Sequence, residues 1–237
     1  MSMPPASQSP HQTSCHPWGI SPPASPQKRW LGLRARIIVG VLFSIVTLVA
    51  TLGLRGEKAE SSSPMAEHVL TVPGVLVNGR YTLTRDDSAT MGRTLARSWR
   101  HSWDAKAVHG VAAVYQADKD RGDKGHLDVT AMYGRFRNTA EVRAYVLASN
   151  GGTPQAKVLV PPKEATPSGS RIRVDCEVVK RTWTNGATLA YPVCVWADGN
   201  TWARVADMTY GTTMNIDLKA AAKTTLLIRS EMIEPIK

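Results

Sequence analysis

The chain has 237 residues, with 29 lysines and arginines against 19 aspartates and glutamates, and three cysteines. Its first 65 or so residues are unsuited to building a core, which leaves one folded domain of roughly 170 residues, enough to be stabilised by apolar burial without a metal. Lys28, Arg29, Arg34 and Arg36 supply four units of the formal charge of +10, and the moderate surplus that remains fits plain solubility or contact with anionic lipids or wall polymers.

Residues 1–36, including PPASQSPHQTSCHPWGISPPASPQ, are rich in Pro and Ser and nearly free of aliphatic side chains. Such a segment cannot bury enough apolar area to offset its ordering entropy, so it is expected to be a disordered tail. Residues 37–54, IIVGVLFSIVTLVATLGL, carry no charge. As a helix this run rises about 27 Å, close to the hydrocarbon thickness of a bilayer. A cleaved signal peptide fits less well: the run is longer than a usual apolar core, a long polar stretch precedes it, and no small-x-small site follows. Four basic residues and Trp30 flank its N-terminal side, whereas Arg55 and Lys58 are mixed with Glu57 and Glu60 on the other. The positive-inside rule then predicts a single-pass plasma-membrane protein with a cytoplasmic N-terminus and an extracytoplasmic C-terminus.

Residues 55–66 read as a short tether, and 67–237 as the exported domain. After Pro73 and Gly74, the alternation in VLVNGRYTLTRDD and its Asn78-Gly79 pair predict an edge strand or small hairpin. Asp86, Asp87 and Ser88 can each cap a helix running to about Asp104, with Met91, Leu95, Trp99 and Trp103 as its apolar stripe. VHGVAAVYQA and HLDVTAMYGRF read as two strands joined by the charged loop DKDRGDKG. Asn138 and Glu141 have capping-box spacing and open a second helix with Val142, Tyr145 and Val146 inward, which Asn150-Gly151-Gly152 ends. A short strand over 157–160 precedes Pro161 and Pro162. Strands follow in RIRVDCEVVKRTW, TLAYPVCVWA and TWARVADMTY, and Asp217 can cap a last helix, LKAAAKTTLLIRSEMI.

The cysteines test one of these hairpins. Cys176 and Cys194 stand directly opposite each other only if the turn is centred on Asn185, which implies a three-residue loop Thr184-Asn185-Gly186 of the type I plus G1-bulge kind. Gly186 occupies the position where that loop needs glycine. In an oxidising compartment the two thiols are expected to pair, worth about 3 kcal/mol in the chain-entropy model. By similar counting, Trp196 and Trp202 are expected to pair across the turn Asp198-Gly199-Asn200.

Chemical signatures are sparse. The loop beginning at Asp118 opens like a calcium loop, but Gly122 and Asp123 are in the wrong order and Val129 stands where a bidentate Glu is required. Its Arg121-Gly122-Asp123 tripeptide reads as a chance match. His68, His101, His109 and His126 form no metal-binding or nucleophile pattern, and no phosphate-binding or dinucleotide glycine motif is present. No cofactor, metal or catalytic residue is therefore assigned. The most suggestive feature is a basic ridge, Arg93, Arg97 and Arg100, whose i, i+4, i+7 spacing can align guanidinium groups for phosphates or carboxylates. Such ridges are also the ordinary wet side of an amphipathic helix.

A Pro/Ser-rich tail, one anchor, and an ectodomain ending in CVWADGNTWARV and then DLKAAAKTTLLIRSEM together resemble uncharacterised single-pass membrane proteins of high-GC actinobacteria. The resemblance covers mainly the last 65 residues. That group brings no assigned activity, so the resemblance implies anchoring and compartment and carries over no functional residue.

The expected architecture is α+β: an antiparallel sheet of about five to seven strands with two or three helices mainly on one face, preceded by one transmembrane helix. The leading functional expectation is an anchored extracytoplasmic binding or envelope-associated module without catalytic activity. Its expected partners are the lipid bilayer, through the span, and anionic envelope polymers or another membrane protein, with nucleic acid excluded by compartment. Two alternatives are a cell-envelope hydrolase whose residues converge only in three dimensions, and a sensor or regulator acting through the tail.

Overall fold

The computed structural model describes residues 66–102, 104–121, 124–151, 155–209 and 216–236. The predicted tail, span and nearly all of the tether lie outside these residues, as do Trp103, Gly122, Asp123 and Gly152. Among the described residues no helix is long and apolar enough to cross a membrane.

The domain is α+β. Its strands are β1 His68–Leu70, β2 Val75–Leu76, β3 Tyr81–Asp86, β4 Ala105–Ala117, β5 His126–Phe136, β6 Ala156–Glu164, β7 Val174–Thr182, β8 Thr188–Ala197, β9 Thr201–Asp207 and β10 Ile233–Pro235. Its helices are α1 Arg93–Trp99, α2 Thr139–Ala148 and α3 Leu218–Met232. The main sheet has eight antiparallel strands in the order β2-β3-β4-β5-β9-β8-β7-β6, one more than the widest expectation, and β1 pairs with β10 in a separate ribbon. After β5 the chain crosses through α2 to the far edge, then returns by hairpins until β9 closes against β5.

The helices do not share one face, which corrects the expectation. Leu218, Ala221, Ala222, Ile228 and Met232 of α3 pack with Cys176, Val178, Cys194, Trp196 and Val205. Leu95 and Trp99 of α1, with Val142, Val146 and Leu147 of α2, pack with Val179, Val193, Val195, Trp202 and Ala206. These two sets alternate along β8, so α3 covers one face and α1 with α2 the other. Between Ala190 and Ala197 every β8 residue is buried. An antiparallel strand wetted on one side would alternate instead.

The β7–β8 hairpin has the register that the cysteines require: Cys176 faces Cys194, at a Cα separation of 4.1 Å, and the two are disulfide-bonded. Gly186 N donates to Trp183 O at 2.9 Å, Trp183 N donates to Ala187 O at 2.9 Å, and Gly186 has φ +81°, the left-handed bulge position. The next hairpin departs from expectation. Asp198 N donates to Thr201 O at 2.8 Å, leaving a two-residue tip, and the register becomes Ala197 opposite Trp202 and Trp196 opposite Ala203. A one-residue change of register moves a side chain across the sheet. Trp196 therefore packs with the α3 side and Trp202 with the α1 side, and they do not pair.

Asn78 and Gly79 form the expected tight turn, with Arg80 N donating to Val77 O at 3.1 Å. β6 extends through Pro161 and Pro162, which an edge strand tolerates because one side of it has no ladder to complete. α1 is shorter than expected: Ser88–Gly92 forms a π-turn, and Arg100 follows Trp99 as the C-cap. Gly92 lies backbone to backbone on Gly110 of β4, where a Cβ on either would collide with the other's carbonyl. Asn138 precedes α2 without a side-chain capping bond, whereas Asp217 caps α3 by accepting from Lys219 N and Ala220 N.

Candidate functional site

Arg93, Arg97 and Arg100 are all exposed, while Leu95 and Trp99 of the same helix face the core. Among the described residues none of the three arginines makes an ion pair. The three carboxylates that flank α1 in sequence are engaged elsewhere or withdrawn. Asp86 accepts from Ser88 N at 2.9 Å, Asp87 binds Arg85 at 2.6 Å, and Asp104 is 9% exposed. Burial, reinforced by Glu141, pushes the Asp104 carboxyl above its ordinary pKa, which weakens it further as a counter-ion.

Beneath α1, between it and α2, lies a cavity of about 20 Å³, room for one water-sized group. Trp99, Tyr145 and Trp202 wall it, Trp99 lying 5.5 Å from Tyr145 and 5.4 Å from Trp202 by ring centroids. Thr130, Ser149 and Arg204 also line it. The Trp202 indole N–H is buried, with no hydrogen-bond partner among the described residues.

Arg204 leads to a polar bridge that local sequence does not reveal. Its Nε donates to Asn150 Oδ1 at 2.5 Å, and Asn150 Nδ2 donates to Glu177 Oε1 at 2.7 Å. Glu177 on β7 and Arg204 on β9 are separated by the width of β8, which the Asn150 amide spans. Glu177 is completely buried, and burial raises its pKa while Asn150 and Arg204 pull it down. Arg204 is lowered by burial, against the attraction of Tyr191, Asp128 and Glu177. A second tie, Arg143 to Asp175 at 2.8 Å, holds the first half of α2 to the same sheet face. Chemically the bridge is a clamp on α2. Sequence reading takes Asn150 only as a helix stop and Glu177 and Arg204 only as strand residues. The available signal is a charge set among apolar strand residues, Glu177 in CEVV and Arg204 in WARVA.

The histidines do not converge. His109 stacks on Tyr133 with ring centroids 4.9 Å apart, whereas His126 lies 3.7 Å from Asp128. Tyr133 and His126 are seven residues apart on β5, about 23 Å along a strand. In the charged loop, Asp118 Oδ1 accepts from Asp120 N at 3.0 Å. Among the described residues no group of three or more His, Cys, Asp or Glu side chains could hold a metal. Cys176 and Cys194 are buried under α3. No protein-family model, curated protein or solved structure matches this chain.

Proposed function

We propose that the chain is a membrane-anchored extracytoplasmic binding module, held by residues 37–54, whose α1 ridge contacts anionic envelope polymers. The buried Cys176–Cys194 disulfide supports the compartment, because such bonds form and persist where the surroundings are oxidising. The observation that carries the binding role is the ridge itself: Arg93, Arg97 and Arg100 are exposed, without an ion-pair partner among the described residues, on a helix pinned by Trp99 and Gly92. Pinning the helix fixes the spacing of the three arginines, and each planar guanidinium can meet a carboxylate, sulfate or phosphate in bidentate fashion.

The test uses the full chain in zwitterionic nanodiscs with dextran sulfate as probe and uncharged dextran as control. Affinity should fall steeply with salt, and R93E/R97E/R100E should weaken it about tenfold. Unchanged affinity in that variant overturns the ridge. Both Cys176 and Cys194 alkylating in the native protein overturns the compartment.

A further inference from the structure

A second cationic surface lies where the chain enters the domain. Lys106 on β4 and Arg135 on β5 are direct cross-strand partners, and beyond a bulge in β4 the same strands pair His109 with Tyr133. Direct partners share a face, and so do Tyr133 and Arg135, two residues apart on one strand, so all four side chains stand on one face of the sheet. Tyr133 packs against the cluster that holds Val129, Ala131 and α3, which identifies this as the α3 side. Lys106 and His109 are exposed, Tyr133 and Arg135 are half-buried, and the two rings stack with centroids 4.9 Å apart.

Like charges placed directly opposite destabilise a sheet. β3 pairs with β4 only over residues 113–117, so Lys106 lies on a locally open edge, where a lysine guards against edge-to-edge association. That explanation fails for Arg135. β5 is flanked there by β4 and by the β8–β9 turn, whose Asn200 and Gly199 carbonyls accept from Gly134 N and Phe136 N at 2.9 Å each. Among the described residues neither cation makes an ion pair, and Glu67 and Glu234 of the neighbouring chain ends do not reach them.

The location is as telling as the charge. Asn200, whose carbonyl holds Gly134 beside Arg135, also accepts from Glu67 N through its Oδ1 at 2.6 Å. The β1–β10 ribbon that follows Glu67 lies on the same face as the four residues, since Leu70 and Ile233 pack with Val129 and Ala131. His126, at the other end of β5, is about 30 Å farther along the strand from Arg135. On a domain anchored through its N-terminal side, Lys106, His109, Tyr133 and Arg135 are therefore at the end, and on the face, that the tether joins.

We propose that these four residues seat the domain on the bilayer that anchors it, the two cations meeting anionic lipid headgroups and the His109–Tyr133 rings lying in the interfacial layer. This rests on the anchoring reading above. A lipid surface is favoured over a soluble polyanion by position, because an anchored chain meets the headgroups of its own bilayer at a high effective concentration.

The experiment places the full chain in nanodiscs of phosphatidylcholine alone or mixed with phosphatidylglycerol, and reads the acetylation rate of individual lysines by mass spectrometry. Lys157 of β6, exposed opposite Lys180 toward the far end of the sheet, is the internal reference. Relative to Lys157, Lys106 should react about fivefold more slowly on the anionic discs than on the neutral ones, and high salt should abolish the difference. R135E should return Lys106 to its neutral-disc rate and R135Q part of the way, while R135K keeps the protection. Melting temperatures should stay near that of the parent, and should R135E fail to fold, R135Q carries the same test. Equal Lys106 rates on both discs overturn the docking surface and leave the anchor standing, as does protection that survives R135E but is lost in R93E/R97E/R100E. A chain that does not co-purify with discs of either composition overturns the anchor, and the docking surface with it.

Discussion

Glu177 on β7 and Arg204 on β9 are joined across β8 by one side chain, the Asn150 amide, which donates to the carboxylate and accepts from the guanidinium. This fastens the C-terminal end of α2 to the sheet and holds one wall of the aromatic cavity in place. Removing the amide takes a hydrogen-bond partner from buried Glu177 and from buried Arg204 at once. Asn150→Ala should therefore lower the unfolding free energy by about 2–4 kcal/mol, a shift in denaturation midpoint that chemical unfolding would read directly. A loss below about 1 kcal/mol would show that the bridge contributes little.

The same bridge predicts a dependence on pH. Burial lifts the Glu177 pKa above its ordinary 4.5, so the folded state holds this proton more tightly than the unfolded chain does. The favourable contribution of that proton is fully present below the unfolded value and is lost as pH rises through the folded value. Glu177→Gln removes the titration and keeps an acceptor for Asn150. Denaturation of parent and variant from pH 4 to 8 should show the variant gaining on the parent as pH increases. A difference that is constant across the range would contradict the assignment.

Cys176 and Cys194 close a loop of 18 residues between facing strands. Replacing both with Ala should cost about 3 kcal/mol of stability. In the native parent neither position should react with an alkylating reagent until the protein is both reduced and unfolded.

Val77 has φ 57°, an uncommon conformation for a β-branched residue. The Glu231 carboxylate of α3 holds it there, accepting from Val77 N at 2.6 Å and from Asn78 N at 3.1 Å. Glu231→Ala should cost about 1–2 kcal/mol. Adding Val77→Gly, which relaxes the backbone demand, should recover part of that loss in a double-mutant comparison of melting curves.

Much of this fold was legible locally. The pairing of Cys176 with Cys194 follows from strand spacing and a glycine at the bulge position, the β4–β5 pair from two long β-rich runs, and the start of α3 from Asp217. Each of these depends on residues close in sequence and on the φ/ψ preferences of short segments. The Trp196–Trp202 expectation failed within the same kind of argument. Asp198, Gly199, Asn200 and Thr201 are compatible with a loop of two or three residues, and the choice decides which face each tryptophan takes.

By itself, then, the sequence determined the antiparallel α+β class, the disulfide register and the ridge on α1, because periodicity, turn chemistry and spacing are short-range properties. Only the tertiary structure decided that α3 lies across the sheet from α1 and α2, that Asn150 spans Glu177 and Arg204, and that Lys157 meets Lys180. Those relations depend on where the crossover through α2 sets down β6, and on β9 closing against β5. Neither is specified by any local run of residues, because both follow from burying two apolar faces of one sheet at once.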